Sequence, residues 1–347
     1  MTGGVARSVL AAFAALVLAG CAPGGAPAGT PGTGDRSSPP ATPDAPRRTQ
    51  IVTVPAPSLA GNLLGEPTER KVLVTFPASY FSGDQRYPVV YFLEGYQDST
   101  GAFLTVAADL DKQMAASGAR EFIIVEADGI NSLGGNFYAN SPVGGNMADF
   151  IAKDLVSYVD ANLRTVPHTA ARGIAGFSMG GGGTVNLALS RPDVFGSAYA
   201  LSPGLLDPHG GLAAMLADNG SWPAYAAAFA PDTSATASPF AHLLDPAIPL
   251  RKQDPAVVAA YEGGFGNLAA KVDAYLAGSG RLTSLRLSYG RSDQYTWIPA
   301  GTKYLDRLLS AKGVDHSLRT FDGGHTIDDA FYQGDFVDFF SRQLSAS

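Results

Sequence analysis

The chain has 347 residues, 46% of them hydrophobic, and a formal net charge of −7. This length is enough for a large buried core in one or two domains. The acidic balance, without any block of Lys or Arg, argues against nucleic acid as a partner. The single cysteine excludes an intramolecular disulfide, so its position in the chain carries the information.

The first 21 residues have the pattern of an export signal. Arg7 is followed by an apolar segment at 9–19, which is too short to span a bilayer permanently. The segment is followed by small residues and Cys21, and it resembles the bacterial lipoprotein box, in which the cysteine is lipidated and becomes the new N-terminus. We therefore expect an exported lipoprotein of the bacterial cell envelope, anchored to the membrane through lipid on Cys21. The alternative is an ordinary secretory signal cut near Ala22, which would give a secreted protein.

The next segment, residues 22–49, consists mostly of Pro, Gly, Ala, Ser and Thr and has no large apolar side chain. Such a segment cannot bury enough surface to offset the entropy lost on ordering it. It is predicted to be a disordered, semi-extended tether between the membrane and a folded domain at 50–347.

Beyond the tether, apolar runs alternate with segments of helical spacing. Short alternating or fully apolar runs predict strands, and apolar residues three and four apart predict helices. The predicted strands are 51–54, 70–76, 87–93, 122–126, 173–177, 198–201, 285–289 and 317–321. The predicted helices are 106–116, 148–163, 184–189, 298–311 and 335–344, with a long loop at 131–147. This order predicts an α/β protein with a mostly parallel central sheet and helices on both faces.

Residues 205–280 break the alternation. Short helical pieces are predicted there at 212–217, 225–229, 256–261 and 268–276, separated by Pro, Gly and Asp. We interpret this segment as a helical insertion near the carboxyl edge of the sheet, where it would form a partial lid.

The stretch RGIAGFSMGGGGTVNLAL at 172–189 carries the strongest chemical signal. It contains GFSMG, a G-x-S-x-G, between a predicted strand and a predicted helix. In this context the motif predicts a nucleophile elbow, a turn so tight that only glycine fits at the position two residues before the serine and at the position two residues after it. Ser178 Oγ would then be exposed at the carboxyl end of the sheet. The amide of Met179, at the helix start, would face a developing oxyanion.

The high glycine content weakens the motif when it is taken alone. The chain has 41 glycines, so a G-x-S-x-G arises readily by chance. Gly182 and Gly183 extend the motif, and each costs a helix interior about 1 kcal/mol relative to Ala. Close packing of the helix on its neighbours, or the Gly-rich composition itself, explains these two glycines better than chemistry does.

An acid and a base are expected after the late strands, in the order Ser, Asp, His. Strand 285–289 leads to a GRSD that ends at Asp293, and strand 317–321 leads to a DGGH that ends at His325. His325 would take the proton of Ser178 and return it to the leaving alcohol. Asp293 would fix the imidazole tautomer and stabilise the imidazolium.

Alternatives to this assignment remain open in the sequence. Asp293 also fits a turn that caps the next helix. Asp322 is a rival acid that precedes His325 closely, and Glu94 is a third candidate that comes before the nucleophile. The histidines that do not follow a late strand are His168, His209, His242 and His316.

The combination of these motifs resembles one branch of the α/β hydrolases. YPVVYFLEG, GFSMGG, GRSD and GGH are similar to the putative-esterase family, which includes esterase D, feruloyl esterases and mycolyltransferases. The similarity extends over about residues 70–340. It implies an α/β-hydrolase fold and an oxyanion hole formed by the amides of Met179 and Tyr96.

Two features depart from that family. Many relatives have His or Asp at the position of Glu94, which leaves its role open. The insertion at 205–280 matches poorly and is expected to shape the substrate site. Aromatic residues that are candidates either for the lining of such a pocket or for ordinary core and surface are Phe137, Tyr138, Trp222 and Trp297.

Together these observations predict a serine hydrolase that cleaves carboxylic esters through an acyl-enzyme on Ser178, with no metal or organic cofactor. The resemblance to mycolyltransferases implies an alternative, an acyltransferase that moves the acyl group to a carbohydrate or lipid alcohol. A third hypothesis is a non-catalytic envelope lipoprotein that keeps the fold for binding. The expected partners are an ester substrate and the membrane that holds the lipid anchor.

Overall fold

The computed structural model describes residues 48–98, 104–328 and 330–345. Within these ranges, eight strands form one sheet and two more form a hairpin. The strands are β1 (Thr49–Pro55), β2 (Glu69–Thr75), β3 (Val89–Leu93), β4 (Ile123–Ala127), β5 (Asn140–Ser141), β6 (Gly145–Asn146), β7 (Arg172–Phe177), β8 (Ser197–Leu201), β9 (Ser284–Gly290) and β10 (Ser317–Phe321). The helices are α1 (Leu104–Ser117), α2 (Met147–Asp149), α3 (Val156–Asn162), α4 (Met179–Ser190), α5 (Gly211–Asn219), α6 (Pro223–Phe229), α7 (Pro255–Phe265), α8 (Leu268–Ala277), α9 (Trp297–Ala311) and α10 (Phe336–Gln343).

The large sheet has the strand order β1-β2-β4-β3-β7-β8-β9-β10. From β4 across to β10 all neighbouring strands pair in parallel, whereas β1 and β2 add an antiparallel edge. The central strand β3 is the apolar run VVYFL, buried throughout, as a strand covered on both faces requires. β10 closes the opposite edge, and none of its residues is fully buried. The predicted α/β fold with a mostly parallel sheet is confirmed.

Side chains along each strand point alternately to the two faces of this sheet, and helices cover both faces. Val90 and Phe92 of β3 pack on one face with residues of α1 and α10. Val89, Tyr91 and Leu93 point to the opposite face, into a larger core that includes residues of α3, α4 and α9. Because these strands are parallel, their carboxyl ends lie along one edge of the sheet, and helices cover the sheet on both faces.

Two segments differ from their predicted structure. The predicted loop at 131–147 contains the β5–β6 hairpin, in which Gly145 has a φ of 87°, a conformation that favours glycine. The predicted helix at 148–163 is interrupted by a π-helical turn, Phe150–Leu155, between α2 and α3. Strands of two residues are too short to show an alternating pattern, so the hairpin left no signal in the sequence.

The N-terminal boundary also shifts slightly. β1 begins at Thr49 and pairs with β2, so the last residue of the predicted tether, 22–49, belongs to the sheet. The predicted signal at 1–21, with Cys21, and the tether up to residue 47 lie outside the described residues. In the ranges that the structure does describe, no helix combines the length and the apolar character needed to cross a bilayer.

The segment 205–280 holds α5, α6, α7 and α8, between β8 and β9. It packs directly on α4. Gly182 of α4 lies so close to Phe265, at the end of α7, that a Cβ added to Gly182 would overlap the Phe265 ring. A Cβ added to Gly183 would lie 2.8 Å from a ring carbon of Tyr138. The two glycines that follow the motif thus allow α4 to approach its neighbours closely. The action of the insertion as a lid stays a prediction.

Candidate active site

Ser178 lies on the sharp turn between β7 and α4. Its φ of 57° and ψ of −114° fall in a region that non-glycine residues rarely adopt, and such strain is common where a side chain is held for function. The Ser178 amide donates to the carbonyl of Leu201 at 3.0 Å, and the Ser178 carbonyl accepts from the Gly182 amide at 3.0 Å. Neighbouring backbone therefore holds the turn in this conformation.

Two glycines make this turn possible. A Cβ added to Gly176 would lie 2.5 Å from the carbonyl oxygen of Gly180, and one added to Gly180 would lie 2.6 Å from the carbonyl oxygen of Glu94. Side-chain carbons do not approach backbone oxygens this closely. Glycine is therefore required at both positions, for the steric reason that the motif implies.

A continuous chain of hydrogen bonds links Ser178, His325 and Asp293. His325 Nε2 lies 2.8 Å from Ser178 Oγ, and His325 Nδ1 lies 2.8 Å from Asp293 Oδ2. The Asp293 side chain is fully buried, and its Oδ1 accepts the amide of Tyr295 at 2.9 Å. The structure thus brings together the three side chains that the sequence proposed as nucleophile, base and acid; their catalytic roles stay predictions.

The loops that carry the acid and the base support each other. The amide of Ser292, beside Asp293, donates to the carbonyl of Gly323 at 2.9 Å. Gln294 Oε1 accepts the His325 amide at 3.1 Å. The loop after β9 and the loop after β10 are therefore fixed to one another, which fixes the distance between carboxylate and imidazole.

Two rings hold the imidazole from its sides. The ring of Phe177 lies 4.8 Å from that of His325 at an interplanar angle of 32°, and the ring of Tyr295 meets it edge-on at 5.1 Å. Sequence reasoning missed both, together with Gln294. Phe177 and Gln294 are each adjacent in the chain to a predicted site residue, which is the only signal that could have identified them.

The rival acids lie elsewhere. The side chain of Asp322 is 88% exposed and pairs with Arg291 at 2.8 Å. Glu94 is buried at the end of β3, and in the described chain no hydrogen bond joins it to His325. Of the other histidines, His316 bonds to Asp306 instead. Of the three candidate acids, Asp293 is the one that the described residues show hydrogen-bonded to His325, and its role as the catalytic acid stays a prediction.

Tyr96 and Met179, the predicted oxyanion donors, line the same cavity as Ser178. Met179 is the first residue of α4, where an amide has no partner within the helix. The Tyr96 loop is held by the Tyr96 hydroxyl, which donates to the Leu133 carbonyl at 2.9 Å, and by the Gln97 amide, which donates to the Gly134 carbonyl at 3.0 Å. The function of the two amides as an oxyanion hole stays a prediction.

The cavity beside Ser178 has a volume of about 280 Å³. Trp222, before α6, and Phe265, at the end of α7, both belong to the 205–280 segment, so the insertion forms part of the wall. Aromatic side chains dominate the lining, which includes Tyr96, Phe177, Trp222, Phe265, Tyr295 and Trp297. Such walls favour apolar or planar groups next to the serine.

The four aromatic candidates from the sequence divide into two pairs. Trp222 and Trp297 line the cavity, whereas Phe137 and Tyr138 are buried and do not. Phe137 packs behind the wall, with its ring 5.9 Å from Tyr96 and 5.0 Å from Trp222. It therefore supports the lining without reaching the cavity.

These features together provide the parts that acyl transfer needs. A serine hydroxyl hydrogen-bonds to an imidazole, and a buried carboxylate orients that imidazole. Two backbone segments line the space beside the hydroxyl, and an aromatic cavity offers room for an organic group. The arrangement can activate Ser178 for attack on a carbonyl carbon.

Comparisons with known proteins agree with this architecture. A ferulic acid esterase has the same fold, with 19% identity and a TM-score of 0.57 over 86% of this chain and 98% of that one. An S-formylglutathione hydrolase from Agrobacterium tumefaciens has 16% identity and a TM-score of 0.56 over 86% of this chain and 95% of that one. A CE1 ferulic acid esterase from Anaeromyces mucronatus has 17% identity and a TM-score of 0.54 over 86% of this chain and 91% of that one. At these identities the likeness shows the fold alone. Residues 66–243, just over half of the chain, match the family described as "Putative esterase". The chain therefore belongs to the "Putative esterase" family, within the α/β-hydrolase fold.

Proposed function

We propose that this protein hydrolyses carboxylic esters through an acyl-enzyme on Ser178. The observation that carries the proposal is the chain of two 2.8 Å hydrogen bonds from Asp293 through His325 to Ser178 Oγ, which ends in the aromatic cavity. Family membership supports the same reaction class. In this proposal no metal or organic cofactor takes part.

The reaction proceeds in two halves. In the first, Ser178 Oγ attacks the ester carbonyl while His325 Nε2 accepts the hydroxyl proton and then passes it to the leaving alcohol. In the second, water attacks the acyl-enzyme with His325 again as the base. Asp293 keeps a proton on Nδ1 and stabilises the imidazolium, and the amides of Tyr96 and Met179 bind the oxyanion in both halves.

The experiment that tests this proposal measures hydrolysis of p-nitrophenyl esters from acetyl to palmitoyl, together with labelling by a fluorophosphonate. We expect hydrolysis of at least the short esters and one covalent label per chain. A folded protein that neither hydrolyses an ester nor takes the label would contradict the proposal. Turnover that depends on an added sugar acceptor would instead favour the acyltransferase.

Replacing Trp222 is expected to change which acyl chains are accepted. Its ring forms part of the cavity wall and lies 5.2 Å from the ring of Tyr96. Trp222→Ala opens the wall, so kcat/KM for octanoyl relative to acetyl esters should rise about tenfold, the effect of about one further methylene accommodated at about 1–3 kcal/mol each. The ratio of the two esters is the readout, because it cancels any general loss of activity.

Phe229→Ala is the matched control for this change. Phe229 belongs to the same aromatic cluster, 6.0 Å from Phe137, but it does not line the cavity. Its loss should leave the octanoyl-to-acetyl ratio unchanged. If Trp222→Ala also leaves the ratio unchanged, the acyl group does not occupy the part of the cavity that Trp222 closes.

We also propose, from the sequence pattern at 1–21, that the protein is exported and lipidated on Cys21. Metabolic labelling with palmitate in a bacterial host that processes lipoproteins should mark the wild-type chain and not Cys21→Ala, because the thioether forms on that sulfur. An unlabelled wild-type protein recovered from the medium would favour the secreted alternative. Two acyl groups provide a stable anchor, since each buried CH₂ contributes about 0.8 kcal/mol.

A further inference from the structure

Two carboxyl groups that the proposed reaction does not use are buried at the carboxyl ends of β3 and β4. Glu94 is 3% exposed and Glu126 is 1% exposed. The parallel register pairs Phe92 with Glu126, which brings the two acids together at the end of adjacent central strands. None of their four carboxyl oxygens has a hydrogen-bond partner of good geometry in the described residues, and the polar groups that act on Glu94 are the Glu126 carboxyl and the Gly129 amide.

The charged groups that act on this pair are carboxylates. Asp98 and Asp128 are the neighbouring carboxylates, and Tyr138 and the Gly129 amide are the neutral neighbours. The Arg70 guanidinium offsets part of the charge of Asp128. It lies 3.5 Å from Asp128 Oδ2 and 3.5 Å from Glu66 Oε2, and it donates to the Ile130 carbonyl.

Two carboxylates cannot both stay ionised in such surroundings, because each is desolvated and each repels the other. One proton on Glu126 removes the mutual repulsion and provides a hydrogen-bond donor, and a second proton on Glu94 leaves the pair without charge. Burial is the main cause that raises the pKa of Glu94 to about 7. Burial, followed by the adjacent Glu94, raises the pKa of Glu126 to about 11. The pair therefore holds at least one proton at neutral pH, and Glu94, whose pKa is raised less, loses its proton before Glu126 does.

Glu94 is joined directly to the loop that carries the predicted oxyanion donor. The next residues are Gly95 and Tyr96, and the Gly95 amide donates to Asp98 Oδ2 at 3.1 Å. The Glu94 carbonyl accepts the Tyr138 hydroxyl at 3.1 Å and abuts the start of α4 at Gly180. A charge on the Glu94 carboxyl therefore acts on the backbone that positions Tyr96.

We propose that Glu94 is a positioning residue of the oxyanion loop, and that the loop supports ester hydrolysis only while Glu94, buried beside Glu126, is uncharged. This inference rests on the proposed function. An ionised Glu94 places a buried negative charge beside the site where the transition state develops its own negative charge, and like charges there oppose the reaction. It also repels Asp98 and Asp128, which flank the loop.

The sign of the pH dependence follows from the direction of the Glu94 shift. Glu94 is neutral below about pH 7 and loses its proton above that value, so kcat/KM should fall as the pH rises beyond about 7. The same raised pKa costs stability as the pH rises, because the unfolded chain ionises at its ordinary value of about 4.3 while the folded chain still holds the proton. The melting temperature should therefore decline between about pH 4.5 and 7.

The test compares the full-length protein with Glu94→Gln and a charge-matched control from pH 5 to 10. Short p-nitrophenyl esters are followed at the isosbestic wavelength of the product, with the spontaneous rate subtracted. We expect the wild type to lose at least about tenfold in kcat/KM by pH 9, one to two units beyond the midpoint. Glu94→Gln should show no alkaline decline. Glu69→Gln, which removes an exposed carboxyl on β2, should keep the wild-type profile.

A second variant keeps the inference falsifiable if Glu94→Gln does not fold. A hydrogen bond donated by the Glu126 carboxyl lowers the pKa of Glu94, so its removal in Glu126→Leu should move the alkaline decline to higher pH. An unchanged decline in that variant, or in Glu94→Gln, overturns the inference. So does a wild-type profile that stays flat up to pH 10.

Melting temperatures measured over the same pH range separate this inference from the proposed function. If the wild type hydrolyses no ester but its melting temperature declines with pH more steeply than that of Glu94→Gln, the reaction assignment fails and the buried acid pair stands. If esters are hydrolysed while both variants behave like the wild type, the acid pair fails and the reaction stands.

Discussion

Ser178→Ala is expected to lower kcat for short p-nitrophenyl esters by about 10⁴-fold or more, with little change in melting temperature. The hydroxyl oxygen is the atom that would bond to the acyl carbon, and the hydroxyl donates a hydrogen bond to His325 Nε2 at 2.8 Å. Alanine keeps the strained turn between β7 and α4, because Gly176 and Gly180 still provide the space. The measurement is steady-state hydrolysis together with intact mass after fluorophosphonate treatment, in which the adduct should disappear.

Ser292→Ala is the matched control for the nucleophile. Ser292 has an exposed side chain beside Asp293, and only its backbone contacts the loop after β10. The activity of Ser292→Ala should stay within about twofold of the wild type, as for most exposed substitutions.

The double variant His325→Ala with Ser178→Ala should lose no more activity than Ser178→Ala alone, because the two groups act in one step. Residual labelling of Ser178→Ala at another serine would show that the nucleophile has been misassigned.

Asp293→Asn is the second large effect, an expected loss of about 10³- to 10⁴-fold in kcat. The carboxylate accepts a hydrogen bond from the Nδ1–H of His325 at 2.8 Å, which leaves Nε2 free to take the proton of Ser178. An asparagine amide can donate to Nδ1 instead, and it then stabilises the tautomer that carries its proton on Nε2 and cannot act as the base. The shape of the loop is retained because Asn can still accept the Tyr295 amide as Asp293 Oδ1 does.

Asp322→Asn serves as the comparison for Asp293→Asn. It removes the rival carboxylate, which is exposed and paired with Arg291, and its kcat should stay within about threefold of the wild type. A larger loss in Asp322→Asn than in Asp293→Asn would contradict the assignment of the acid. Steady-state rates at saturating ester, taken at one pH for all variants, decide between the two.

The sequence predicted the strands, and with them the positions of Ser178, Asp293 and His325, because apolar or alternating runs end at turn residues such as Ser, Gly and Asp. Each of these residues follows a strand by only a few positions, so an error of one or two residues at a strand end does not displace it. The alternation of strands and helices likewise predicted the fold class, which the sheet order confirms.

The relationships that the sequence did not predict all depend on contacts across the sheet or across loops. Glu94 and Glu126 are far apart in the chain, and only the register of β3 against β4 brings them together. Gln294 and Tyr295 reach His325 because the loops after β9 and β10 are joined by backbone hydrogen bonds. The spacing of hydrophobic residues does not encode such pairings, since it describes one helix or strand at a time.

The uneven burial of the sheet has a consequence for how the protein loses activity. Ser178 follows β7, in the protected middle of the sheet, whereas His325 follows β10, the outermost strand, in which no residue is fully buried. Strands at an exposed edge exchange their amide hydrogens through local openings that need less free energy than global unfolding. Fraying of β10 alone would carry the imidazole away from a serine that has not moved. Inactivation under mild heat or low denaturant should therefore precede the loss of overall secondary structure, and it should reverse when the edge strand pairs again.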